Sequence, residues 1–231
     1  MRTKVKASGL ELENLTPTLG VECKGIDLAQ PQSESTYEII MQAWYDRGLL
    51  LFRHQRLGPD AHVAFTRRFG EFEIHIRSEY LLPDYPEILV VGNPRENGRL
   101  VGHYIPGDGD WHSDLSYCRI PSMASLMYAV KTTPEGGETE FAAASAAYAA
   151  LPAATKLLIE GLRAVHDYPW FDDKLCAKES GRIPLSEEKR GLIPPVSHPI
   201  ARTHPVTHRK SIYVCPDLIR SVEGMPGAQG R

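Results

Sequence analysis

The chain has 231 residues, of which 26 are basic and 29 acidic, for a net charge of -3. That near-balance excludes a bulk electrostatic drive toward nucleic acid or an anionic membrane surface, so the expected partner is a small molecule, with no nucleic acid and no membrane. No run approaches the ~20 apolar residues of a bilayer span, and the opening MRTKVKASGLELENL lacks the apolar centre of a secretory signal, which predicts a cytoplasmic protein. The length favours one domain, 1–231, around a buried core. Cys23, Cys118, Cys176 and Cys215 are far apart without a CxxC spacing, which points to reduced thiols that pack rather than to a zinc site or a disulfide framework.

In chain order, LENLTPTLGVECKGIDLAQ is broken by Pro17, Gly20 and Gly25 and predicts short strands and turns. SESTYEIIMQAWYDRG predicts a helix: Ser35 with Glu38 makes a capping box, Ile39, Ile40, Ala43 and Trp44 form an apolar face, and Gly48 supplies the stop. LLLFR (49–53) is a short apolar strand, and GPDAHVAFTRRFG a second helix opened by Pro59 and closed by Gly70. EILVVG (87–92) and SMASLMYAV (122–130) have strand composition, and in TPEGGETEF the Glu-Gly-Gly turn separates two extended runs. SAAYAALP and AATKLLIEGL predict a helix pair divided at Pro152. The polar, interrupted stretch from Trp170 to Pro195 is predicted as a long mobile loop of the kind that serves as an active-site lid. HPIARTHP and KSIYV predict a final strand pair joined through VTHR. Strands and helices do not alternate regularly, so the fold class is mainly β with helices, a sandwich or jelly roll rather than a doubly wound sheet.

The chemistry concentrates in DWHSDLSY (110–117). Side chains alternate along extended chain, so His112 and Asp114 point to the same side. With a second histidine from elsewhere they would make the two-histidine, one-carboxylate triad that holds iron(II) and leaves open positions. HxD also arises by chance, and on its own the pair reads equally as a hydrogen-bonded turn.

The surroundings decide between these readings. WHSDLSY, SMASLMYAVKTTPEGGETEFAAASAAYAALP, EGLRAVHDY, PPVSHPIARTHP and SVEGMPGAQGR, in this order, resemble the TauD/TfdA family of iron(II)- and 2-oxoglutarate-dependent dioxygenases. The likeness runs from GIDLAQP through LLLFRHQ and FTRRFGEFEIH to the end, and WHSD, GGETEF and SVEGMP bring it closer to the aryloxyalkanoate, 2,4-dichlorophenoxyacetate-type, branch. The resemblance implies a double-stranded β-helix (jelly roll) and the hydroxylation of a small anionic substrate with O2, releasing succinate and CO2. It implies that His112 and Asp114 ligate Fe(II) and that Thr139 hydrogen-bonds the cosubstrate 2-oxoglutarate. His75 takes the position that reaches the substrate's anionic group. The substrate-side turn from Pro106 to Asp110 carries Asp108 where the taurine enzymes have an asparagine; an acid there would repel an anionic substrate, which counts against taurine. Trp111 is expected to pack in the core, as are His198 and His204 in their strand. His54, His62, His103, His166 and His208 have no spaced partner.

In the family a second histidine ligand and a 2-oxoglutarate-binding arginine follow in a WDNR…H-like stretch, and no WDN occurs before Arg231. The expectation is therefore a member lacking its C-terminal segment, with an incomplete jelly roll and an exposed sheet edge that invites homo-oligomers. Arg202 and Arg209 are weak substitutes for the anchor. The competing reading is a catalytically inactive remnant with a structural or interaction role.

Overall fold

The computed structural model describes residues 2–4, 9–104, 110–178 and 182–225. The chain forms two compact units between which the sequence passes several times: Met1–Tyr104, Leu126–Ala143 and Pro205–Thr207 make the first, and Ile105–Ser125, Ala144–His204 and His208–Arg231 the second.

In the first unit β1 (Arg2–Lys4), β2 (Glu11–Asn14) and β3 (Val21–Lys24) pair antiparallel, and β4 (Leu50–Leu51) joins β3 in parallel. A parallel neighbour needs a crossover, and helix α1 (Glu34–Arg47) provides it. The cap is Ser33 rather than Ser35: Ser33 has the extended backbone of an N-cap and its hydroxyl accepts from the Thr36 amide, whereas Ser35 is already inside the helix. At the other end Gly48 takes φ 68° and donates to the Trp44 carbonyl, a left-handed cap that a residue with a Cβ adopts at a cost. Ile40 and Ala43 are buried with Leu10, Val21 and Cys23 to form the core of this unit. Burial pushes the Cys23 thiol up to about 12, so it packs as an inert small hydrophobe.

Helix α2 (Pro59–Thr66) starts on its proline and tightens into a 3-10 turn, Arg67–Phe69, that ends at Gly70. Its Phe65 ring meets Phe52 at 5.8 Å and Phe69 at 5.3 Å, edge to face. Two small antiparallel pairs follow, β5 (Leu81–Leu82) with β6 (Tyr85–Leu89) and β7 (Arg95–Glu96) with β8 (Arg99–Leu100). The predicted strand 122–130 is not one. Ser122 to Ala129 do alternate between half-buried and exposed, as a strand would, but no ladder among the described residues pairs with them. Composition set the alternation; a strand also needs a partner for its amides.

The second unit contains α3 (Ala144–Ala150), α4 (Ala153–Ile159), β9 (Arg163–His166), α5 (Tyr168–Lys178), α6 (Glu187–Leu192), β10 (Val196–Pro199), β11 (Ala201–Thr203), β12 (Lys210–Ile212) and β13 (Ile219–Val222). An antiparallel sheet runs β10-β9-β13, and β11 and β12 form the predicted pair, though not as the last strands, since β13 follows them, with α3 packed on β12. The stretch from Trp170 to Pro195 corrects the expectation of a mobile loop, because it carries α5 and α6. Asp172, 0 % exposed, accepts from Arg182 Nε at 3.0 Å and from the Leu185 amide at 3.1 Å, while Leu175 and Leu185 are buried. The polar residues that look solvated in the sequence thus hold the chain after α5 against that helix. The described residues as a whole are mixed helix and sheet, in comparable measure, rather than mainly β.

Candidate metal centre

Residues 110–118 belong to the second unit and form an irregular turn in which Leu115 takes φ 52°, a conformation uncommon for a residue with a branched side chain. Three consecutive residues after it hold the turn in place. Ser116, 1 % exposed, places its hydroxyl 3.1 Å from His166 Nδ1 on β9; the Tyr117 ring lies 4.4 Å from that of Tyr168; and the Cys118 carbonyl accepts from His198 Nε2 at 2.9 Å on β10. Burial, reinforced by the neighbouring His198, pushes the His166 imidazole down to about 4, and burial also lowers His198. Both rings are therefore neutral at physiological pH and serve as supports. His166 corrects the sequence reading, which left it without a partner.

From this anchored turn His112 and Asp114 project with side chains 55 % and 54 % exposed, so a solute reaches both. His112 Nδ1 lies 2.8 Å from the Asp110 carbonyl. A carbonyl only accepts, so Nδ1 carries the proton and Nε2 presents its lone pair when the ring is neutral. The second oxygen of the carboxylate is also engaged: Ser125 donates its hydroxyl to Asp114 Oδ2 at 2.5 Å. The remaining donors, His112 Nε2 and Asp114 Oδ1, are 3.4 Å apart. Two adjacent ligands on one ion at bond lengths of about 2.0–2.2 Å stand roughly 2.8–3.6 Å apart as the angle at the ion opens from a right angle to a tetrahedral one, and the pair falls within that range. The hydrogen bond to Asp114, with help from the Asp110 carbonyl and the charge of Asp217, raises the His112 pKa to about 9. A proton between the two side chains takes the place a cation would occupy, and a metal bound there would displace it. Imidazole and carboxylate suit a divalent first-row ion, and the pair fits two positions of its shell. Among the described residues no group of three His, Cys, Asp or Glu side chains converges to hold a metal.

The other predicted residues are placed as follows. Thr139 lies in the first unit, exposed and outside any strand, in the loop after Gly136 and Gly137. Both glycines take φ 75°, which makes the predicted turn possible, and Thr133 donates to the Gly136 carbonyl to close it. His75, half-buried in the same unit, accepts from the Arg77 amide through Nδ1 at 3.1 Å, which sets the proton of the neutral ring on Nε2. Its ring is 5.5 Å from that of His103. Asp108 lies outside the described residues. Trp111 is 57 % exposed rather than packed in a core. Arg202 stacks its guanidinium 4.8 Å from the centroid of Tyr213. Ser116, Ser125 and His166 were missed in the sequence because each acts across a distance in the chain, 11 residues for Ser125 and 50 for the Ser116–His166 pair.

The family described as "Taurine catabolism dioxygenase TauD, TfdA family" matches residues 11–231. The chain belongs to it. This TauD/TfdA member is 32% identical over 228 residues to the alpha-ketoglutarate-dependent 2,4-dichlorophenoxyacetate dioxygenase of Cupriavidus pinatubonensis, a match covering 94% of the chain and 77% of the relative. It superposes on the crystal structure of a taurine dioxygenase from Burkholderia xenovorans with a TM-score of 0.75 at 25% identity, covering 96% of this chain and 69% of that one. AAD-2, solved in complex with Mn(II) and N-oxalylglycine, matches with a TM-score of 0.69 at 26% identity, over 96% of this chain and 75% of the other. The chain is thus an enzyme of the dioxygenase class, in a family that uses Fe(II) and 2-oxoglutarate. No helix among the described residues is long and apolar enough to cross a membrane.

Proposed function

We propose that this dioxygenase hydroxylates a small organic anion, an aryloxyalkanoate-like carboxylate in preference to a taurine-like sulfonate, while 2-oxoglutarate and O2 are consumed and succinate and CO2 released. The observation that carries the reading is the convergence of His112 Nε2 and Asp114 Oδ1, with the outer atom of each side chain tied to another group. When bound there, iron(II) would supply the oxygen activation that no amino-acid side chain performs. The chain's own part is to hold and orient. His112 and Asp114 present two adjacent donors. Thr139 offers a hydroxyl to a carboxylate of 2-oxoglutarate, and His75 offers its Nε2 proton to the anionic group of the substrate. Identity to the 2,4-dichlorophenoxyacetate enzyme supports the carboxylate substrate.

The reading also takes the chain as a single jelly-roll domain working in the cytoplasm; the repeated passage of the chain between its two units supports one domain. Two ligand side chains still supported by neutral histidines and hydrogen bonds weigh against an inactive remnant. Asp114→Ala in the complete protein, extended through a WDNR…H-like segment where the source encodes one, tests the proposal. The variant is expected to fold, since Asp114 is half exposed, and to lose iron-dependent succinate formation. Succinate formation at the parent's rate would refute the site.

A further inference from the structure

Ser125 is the second contact of the Asp114 carboxylate, and its geometry has a consequence for the metal. At 2.5 Å the bond from its hydroxyl to Oδ2 has the length of an O–H donor meeting an ionised carboxylate, the stronger class of hydrogen bond. Both side chains are exposed, so the bond adds little to the stability of the fold; water would serve the carboxylate nearly as well. What water does not provide is direction. A carboxylate on an exposed turn rotates about its last bond, and either oxygen, or both together, then faces a cation. With Oδ2 held by Ser125, Oδ1 is the atom left beside His112 Nε2.

We propose that Ser125 is a positioning residue: its hydroxyl locks the Asp114 carboxylate so that one oxygen alone is presented to the metal. This rests on the reading of Asp114 as a metal ligand. The role parallels the bond from His112 Nδ1 to the Asp110 carbonyl, so that each ligand has its inner atom aimed by a bond at its outer one.

The test is Mn(II) binding by the full chain with 2-oxoglutarate under argon, read from the EPR signal of free Mn(II), for the parent, Ser125→Ala, Ser125→Thr and Asp114→Ala, with the thermal midpoint of each metal-free protein alongside. Ser125→Ala is expected to weaken Mn(II) by about 10- to 100-fold at an unchanged midpoint, with Ser125→Thr, which keeps the hydroxyl, restoring most of the affinity. Parent affinity in Ser125→Ala, with binding lost in Asp114→Ala, overturns the role of Ser125 and leaves the site intact. Parent affinity in Asp114→Ala overturns the site and this inference with it. A loss in Ser125→Ala that comes with a lowered midpoint and no rescue by threonine also overturns it, because the serine would then be structural.

Discussion

Acid should loosen the support of the turn that carries His112 and Asp114 through His166. This imidazole is 0 % exposed, contacts Ser116 through Nδ1, and packs 5.4 Å from the His198 ring and 5.8 Å from that of Tyr213. Its pKa falls from 6.5 to about 4, first because burial penalises the charged ring and then because His198 lies beside it. The unfolded chain takes up a proton as pH falls through 6.5, and the folded chain does so only near 4. In that window the unfolded state binds more protons, so stability falls as pH falls, by about 1.4 kcal/mol per unit for this one group. Between pH 6.5 and about pH 5 the loss is roughly 2 kcal/mol, and over the whole window roughly 3. His166→Asn keeps a polar atom near Ser116 and does not titrate. Urea unfolding followed by tryptophan fluorescence, at a series of pH values, should show the parent losing roughly 2 kcal/mol more than the variant between neutral pH and about pH 5. Titration of the carboxylates and of His62 and His204 is common to both proteins and cancels in the difference. Parallel pH profiles for the two proteins, or an NMR titration of the His166 ring with a midpoint near 6.5, would refute the argument.

Two further perturbations separate cosubstrate binding from folding. Thr139→Val should raise the 2-oxoglutarate concentration needed for half-maximal succinate formation by about ten- to hundred-fold, the loss of one hydrogen bond to a charged group, with a smaller effect on substrate affinity; a cosubstrate titration checks both. Asp172→Ala should cost about 3–5 kcal/mol in urea unfolding, because it leaves Arg182, 5 % exposed, as a buried charge without its carboxylate; a loss under 1 kcal/mol would mean that the residues around Arg182 satisfy it by themselves.

Legibility in the sequence followed the range of the interactions. Gly48 and Gly70 close their helices as predicted, and Pro59 opens one, since caps and breakers act within a turn of themselves. The His112–Asp114 pair was legible for the same reason: alternation of side chains over three residues aims both one way, and the structure puts their donors 3.4 Å apart. The errors lie where a partner distant in the chain decides. Residues 122–130 have strand composition and strand alternation, yet among the described residues no neighbour completes a ladder with them. Residues 170–195 look like solvated loop because Asp172, Arg182 and Arg190 are charged, but Asp172 is buried by the very groups it binds.

By itself, then, the sequence pointed to the His112–Asp114 pair and gave the stops of the first two helices and, through the combined order of its motifs, the family. Only the tertiary structure decided what holds that pair: Ser125 on the carboxylate, and His166 and His198 beneath the turn. A hydroxyl 11 residues away and imidazoles 50 and 80 residues away have no local signature, because a hydrogen bond depends on a separation in space and an angle that folding alone sets.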